Sequence, residues 1–246
     1  MHVKALLIQA RDTPDIEAQE QACFLERCGL RPSQLHTLNV TRDALLPTAL
    51  DTCDLMIIGG AGEYSAQNDY PWMPALLDLV RLAYERNLPT FGSCWGHQVI
   101  ARALGGEVVY DQERTEMGCG WIELNDAGQA DPLFSVFPAR FRANMGHHDR
   151  VSQLPEDAVN LAFSDTQQNQ AFRIQDKPIY GTQFHSELDA HREKERLLAY
   201  RSYYTEVETE EAFQAIIDGL AETTEVDGLL ARFIELYVSP TTSSQF

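Results

Sequence analysis

Apolar positions follow two different periods along this chain. Val3-Lys4-Ala5-Leu6-Leu7-Ile8-Gln9 is a nearly unbroken apolar run and reads as a buried strand. Ile16 to Cys28 switches to helical spacing, with Ile16, Ala22, Phe24, Leu25 and Cys28 set among acids and glutamines, and Gly29 follows as a C-cap. Gln34 to Val40 reads as a second strand and Ala44 to Leu50 as a short helical turn. Asp54 to Ile58 is a third strand, running into Gly59-Gly60-Ala61-Gly62. Trp72 to Asn87 carries an amphipathic stripe supplied by Met73, Leu76, Leu77, Leu79, Val80, Leu82 and Ala83, and predicts a long helix. A short apolar run then ends in Gly92-Ser93-Cys94-Trp95-Gly96, after which helical spacing resumes from His97 to Leu104 and stops at Gly105-Gly106. Such alternation predicts an α/β fold: a mostly parallel central sheet flanked by helices, with sites beyond the carboxyl ends of its strands.

From Glu107 to Phe184 the pattern changes to short alternating segments: Glu107 to Tyr110, Gly120 to Leu124, Arg140 to Ala143, Val159 to Ser164, Asn169 to Ile174 and Ile179 to Phe184. Turn residues separate them, as in Asn125-Asp126-Ala127-Gly128 and Asp176-Lys177-Pro178. These predict antiparallel strands that extend the sheet or form a small second one. Beyond them lie three helical stretches: the charged His191 to Tyr204, then Thr209 to Leu220, then Val226 to Val238. The last carries Leu229, Leu230, Phe233, Ile234 and Tyr237 at core spacing. Residues 1–238 are expected to form a single domain, and 239–246 a tail.

Charge and cysteine usage narrow the function classes. With 19 basic and 37 acidic residues among 246, the formal net charge is −18, which argues against nucleic-acid or anionic-membrane partners. No apolar run is long enough to span a membrane, and the N-terminus lacks the pattern of a signal peptide. The five cysteines, Cys23, Cys28, Cys53, Cys94 and Cys119, have neither framework nor metal-ligand spacing. They are expected as free thiols in a reducing cytoplasm, with no structural metal.

One of the five stands apart. Gly92 and Gly96 flank Cys94 at the point where a strand pattern gives way to a helix, the layout of a nucleophile elbow. A thiol there lies at a helix N-terminus, where the helix dipole favours thiolate. It needs a base. Tyr180-Gly181-Thr182-Gln183-Phe184-His185-Ser186-Glu187 is a strand running into a polar end, with a carboxylate two residues beyond a histidine that it can orient. Cys94, His185 and Glu187 thus make a candidate nucleophile, base and orienting group.

These segments resemble the signatures of the class I, triad-type glutamine amidotransferases. Gly92 to Gln98 is similar to their G-x-C-x-G-x-Q motif and Phe184 to Glu187 to their F-H-P-E motif. Gly59 to Gly62 resembles their G-G-P-G loop. His147 to Pro155 resembles their S-H-G-D-x-V-x-x-L-P segment, and Glu116-Met117-Gly118 a weaker E-x-G element. Three positions depart from the pattern: Ala61 and Ser186 stand where the family has proline, and His148 where it has glycine. The resemblance implies a flavodoxin-like sheet and attack by Cys94 on the side-chain amide of glutamine. A γ-glutamyl thioester would form and water would hydrolyse it, with no cofactor. It further implies that the backbone N–H groups of Gly60 and Trp95 form the oxyanion hole, and that Gln98, His148 and Asp149 contact the substrate.

Since the resemblance is closest to free-standing members, it implies a small-molecule substrate and a synthase partner, if any, in trans. Hydrolysis of free glutamine competes with cleavage of γ-glutamyl peptides or amines, and a catalytically silent regulatory relative is a third reading. A cysteine-elbow peptidase-like family of similar architecture places histidine next to its cysteine, where this chain has Trp95.

Overall fold

The computed structural model describes residues 3–204 and 207–238, so the tail expected at 239–246 lies outside the described residues. The first half alternates as its periodicity predicts: β1 (Ala5–Gln9), α1 (Pro14–Arg27), β2 (Leu35–Asn39), β3 (Leu55–Ile58), α2 (Met73–Glu85), β4 (Thr90–Ser93) and α3 (Trp95–Ala103). The second half contains β5 (Glu107–Tyr110), β6 (Glu116–Leu124), α4 (Asp126–Ala130), β7 (Arg140–His147), β8 (Asp149–Gln153), β9 (Ala158–Phe163), β10 (Ala171–Ile174) and β11 (Ile179–Thr182). Three helices close it: α5 (Ala190–Ala199), α6 (Glu210–Asp218) and α7 (Leu229–Tyr237).

Nine strands form one sheet in the order β2-β1-β3-β4-β11-β10-β9-β6-β7. The first five are mutually parallel, and from β11 onward every pairing is antiparallel. Both outcomes expected of the middle segments occur, because β5 and β8 pair separately as a two-stranded sheet. Burial on both faces explains the unbroken apolar runs. In β1, Leu6 and Ile8 pack with α2 and α3 on one face, while Ala5 and Leu7 pack with α1 and α7 on the other.

Three expectations differ in extent. The sequence predicts β6 from Gly120, but it begins at Glu116, because Glu116-Met117-Gly118-Cys119 pairs throughout with β7. The turn expected at Asn125 to Gly128 is a short helix capped by the Asn125 side chain, which accepts from the Gly128 N–H. The helix expected over His191 to Tyr204 ends at Ala199 and gives way to a tight turn at Arg201–Tyr203.

Parallel pairing gathers three strand ends on one edge. Ile58 pairs with Gly92, and Ser93 with Thr182. The chain therefore leaves β3 into Gly59-Gly60, β4 into Cys94, and β11 towards His185, side by side. The antiparallel extension reaches the same edge, where Asn144 of β7 bridges His185 and accepts its N–H at 3.0 Å.

Candidate active site

Cys94 sits between β4 and α3 with φ 51° and ψ −101°, a conformation that disfavours a side chain and needs enforcing by its surroundings. Two glycines enforce it. A Cβ on Gly96 would lie 2.1 Å from the Ile58 carbonyl oxygen, and one on Gly92 would lie 2.5 Å from the Gly96 backbone. Strand and helix therefore approach more closely than any side chain allows. The Cys94 N–H donates to the Thr182 carbonyl at 2.8 Å and the Gly96 N–H to Gly59 at 3.1 Å, tying the elbow to both neighbouring strand ends. Trp95 is the first helical residue, a position whose N–H has no intrahelical acceptor.

His185 and Glu187 meet at this elbow. His185 Nδ1 lies 2.7 Å from Glu187 Oε1, and the imidazole and the Cys94 side chain are near enough to interact electrostatically. Burial works against a charge on His185, but the Glu187 carboxylate and Cys94 outweigh it and hold its pKa well above the ordinary histidine range. Burial likewise opposes ionisation of Glu187, yet His185 and Arg196 bring its carboxyl down to about 2. Ser93 Oγ donates to the second Glu187 oxygen at 2.8 Å, and Arg196 lies 3.4 Å from the first. Ser186, where the family pattern has proline, is buried and leaves the His185–Glu187 contact intact.

Gly60 differs from expectation. Its N–H does not stand open beside Cys94 but donates to Glu20 Oε1 at 3.0 Å. Glu20 is fully buried beside Arg11, at 2.7 Å, and Arg196, at 3.7 Å. Burial opposes the Glu20 charge, and the two guanidinium groups overcome it and keep the carboxyl below its ordinary range. Gly59 admits this carboxylate, since a Cβ there would lie 2.7 Å from Glu20. Gly60 stays close to the reacting groups, its Cβ position 3.4 Å from the His185 ring.

Cys94, Trp95, Gln98, His148 and Asp149 line one cavity of about 220 Å³. Gln98 spends its N–H groups on the wall, donating to the Asp149 carbonyl at 2.7 Å and to Gln183 Oε1 at 3.1 Å. Gln183 in turn donates to Cys94 Sγ at 3.6 Å. The Asp149 carboxylate accepts from Ser65 Oγ at 2.5 Å and from the Ala66 N–H at 3.0 Å, clamping the loop that follows the glycines. His148 lies between the rings of Tyr110 and Tyr204. His147 points instead into a buried polar cluster, with Nε2 3.1 Å from Glu116, which also accepts from Ser164 at 2.6 Å. The weak E-x-G element therefore supports the cavity wall from behind.

The helices after His191 are expected from the sequence to cover the core and the active-site edge, but the sequence does not single out the residues that do so. Arg196 and Glu193 of α5 are 4 % and 2 % exposed, and Tyr200 and Tyr204 pack beside them over the elbow. A pattern of charged residues on a helix reads as a solvated face, so only the fold reveals these. Among the described residues, no group of three His, Cys, Asp or Glu side chains is arranged to hold a metal ion, and no helix is long and apolar enough to cross a membrane.

Comparison with known proteins bears on the whole arrangement. A family model described as glutamine amidotransferase class-I matches residues 25–203. The glutamine-hydrolyzing GMP synthase subunit of Methanocaldococcus jannaschii is 40% identical over 114 residues, covering 46% of this chain and 58% of that protein. The GMP synthase (glutamine-hydrolyzing) of Thermosipho melanesiensis is 33% identical over 144 residues, 58% of this chain and 25% of the relative. The matches thus span a quarter to somewhat over half of these relatives' lengths. Among solved structures, a glutamine amidotransferase from Thermotoga maritima superposes with a TM-score of 0.78 at 24% identity, covering 97% of this chain and 99% of that one.

Proposed function

This chain belongs to the class-I glutamine amidotransferase family, and we propose that residues 3–238 act as one domain that hydrolyses the side-chain amide of glutamine, or a related γ-glutamyl amide, through a thioester on Cys94. The observation that supports this most is the meeting of Cys94, which lines the 220 Å³ cavity at positive φ on a helix N-terminus, with the buried His185–Glu187 pair behind it. In this reading the Cys94 thiolate attacks the amide carbonyl. The Trp95 N–H, at the positive end of α3, stabilises the oxyanion. The Gly60 N–H joins it only when it gives up Glu20. His185, kept protonated by Glu187, passes its proton to the leaving nitrogen, and ammonia departs. Water then hydrolyses the thioester with His185 as base. Gln98 and Asp149 act on the substrate through the cavity wall they hold, and His148 through the rings it stacks between.

Ammonia released this way would serve a synthase partner in trans, in a reducing cytoplasm that suits five unpaired cysteines. A second reading, cleavage of γ-glutamyl peptides or amines, draws on the aromatic wall of the cavity. Tyr64, Tyr70, Tyr110 and Tyr203 line it beside Trp95, a surface suited to amine cations. The test is a substrate panel on purified protein, reading ammonia, amine and glutamate. Wild type is expected to release glutamate from glutamine and Cys94→Ala none. Equal turnover by Cys94→Ala would overturn the reading. Faster cleavage of γ-glutamyl amines than of glutamine would select the second one.

A further inference from the structure

We propose that Glu193, with the hydroxyl of Tyr204, holds the water that hydrolyses the Cys94 thioester, in the place the ammonia has just left. The proposal rests on the reading of Cys94 as nucleophile. Glu193 belongs to α5, is 2 % exposed, and lies outside the Cys94–His185–Glu187 set. Carboxylates buried to this degree are normally paired. Glu193 Oε2 instead has no hydrogen-bond partner among the described residues. Burial pushes its carboxyl upward, with His185 and Arg196 acting against that shift.

The side chain borders a second cleft of about 20 Å³, which also touches Cys94, His185, Gly146 and Tyr204. That volume holds about one small molecule such as water or ammonia. Gly146 shows that the polar atoms converge. A Cβ there would lie 3.2 Å from Glu193 Oε1 and 3.3 Å from the Tyr204 hydroxyl. His185 borders this cleft but not the larger cavity, whereas Cys94 borders both. The imidazole therefore faces the small cleft, and whatever exchanges protons with it occupies that space.

The steps balance in this arrangement. As the C–N bond breaks, the leaving nitrogen takes the His185 proton and departs as ammonia. Water replaces it. Its oxygen bonds to the thioester carbonyl carbon while one of its protons passes to His185. The C–S bond breaks, its electron pair returns to Cys94, and glutamate leaves. Glu193 accepts the second O–H of the water and Tyr204 donates to its oxygen, so neither residue gains or loses a proton.

The experiment compares wild type, Glu193→Leu, Glu193→Gln and Tyr204→Phe on glutamine, after circular dichroism confirms folding. Glu193→Leu is expected to lower kcat about tenfold to a hundredfold, the scale of a misplaced reactant. Because only deacylation slows, KM falls with kcat and kcat/KM stays unchanged. Acid-quenched Glu193→Leu protein carries a glutamyl adduct on Cys94 that wild type holds only in traces. Its rate of labelling by a glutamine-analogue electrophile stays at the wild-type value. Glu193→Gln keeps an acceptor and remains within about threefold of wild type, and Tyr204→Phe shows the same signature more weakly. Unchanged kcat in Glu193→Leu overturns the proposal, and so does a parallel fall in kcat/KM and labelling rate without adduct. Should Glu193→Leu fail to fold, Tyr204→Phe decides by the same adduct measurement. Failure of the glutamine-analogue electrophile to label Cys94 in wild type would refute the nucleophile reading instead.

Discussion

The two sides of the Cys94 site are built differently. On one side stand the ends of β3, β4 and β11, which deliver Gly60, Cys94 and His185 through backbone hydrogen bonds and parallel pairing. On the other stands α5 with the turn after it, which delivers Glu193, Arg196, Tyr200 and Tyr204, with Arg196 bonded to Gln19 and Tyr200 to Arg11. The strand side is positioned by register, so a change of one residue is felt by the whole fold. The helix side is positioned by buried charges, and its fit depends on which partner carries which proton. Glu187 joins the two, accepting from Ser93 on the strand side and facing Arg196 on the helix side.

Substitutions that attack one side at a time sharpen this contrast. The largest effect is expected from Glu187→Gln, which touches both. Turnover of glutamine should fall about 10²- to 10⁴-fold. Without the carboxylate that raises it, the His185 pKa drops, so the alkaline limb of the pH–kcat/KM profile should move to lower pH. A limb that stays in place would mean that Glu187 does not set the imidazole charge.

Glu20→Gln attacks the charge network behind the glycine loop. It leaves Arg11 buried without its carboxylate, and the expected loss of stability is about 3–5 kcal/mol, read from urea midpoints. A loss below about 1 kcal/mol would mean that the network relaxes around neutral glutamine. Gly96→Ala attacks the strand side, where the new methyl meets the Ile58 carbonyl. The expected cost is about 1–3 kcal/mol with a larger relative loss of activity, because the elbow must shift to admit it.

The smallest effect concerns His97 of α3, which is fully buried against Phe172 and kept neutral by that burial, its pKa lowered to about 3. Unfolding exposes it to protonation. Its contribution to stability is therefore complete above about 6.5, the ordinary histidine pKa, and is lost progressively as pH falls towards 3. A His97→Gln variant should show a shallower fall of stability over that window than wild type. Parallel curves would contradict the assignment.

The same division governs what could be read from the chain. The parallel half was legible because strands buried on both faces leave unbroken apolar runs, and because Gly92 and Gly96 mark the only tolerable residues at a close backbone approach. His185 and Glu187 were legible as a spaced pair at a strand end. Glu20, Glu193 and Arg196 were not. Their burial depends on partners from distant segments, as in the Arg11–Glu20 pair and the Arg196–Glu187 contact, and nothing in the local charged pattern distinguishes them from surface residues. The β6 strand begins earlier than expected for a related reason: polar Glu116 and Gly118, at positive φ, interrupt the apolar pattern there, and only pairing with β7 extends the strand over them. Gly60 was correctly located at the sheet edge, but the direction of its N–H is set by Glu20, which lies 40 residues away in sequence.

The most direct test of the central claim is peptide mass mapping after treatment with a glutamine-analogue electrophile. Burial pushes Cys23 and Cys28 up to about 12 and Cys53 to about 11, so these thiols should be inert near neutral pH. The account predicts one adduct, on Cys94, prevented by excess glutamine and absent from Cys94→Ala. Labelling spread over all five cysteines, or a Cys94 that glutamine does not protect, would contradict it.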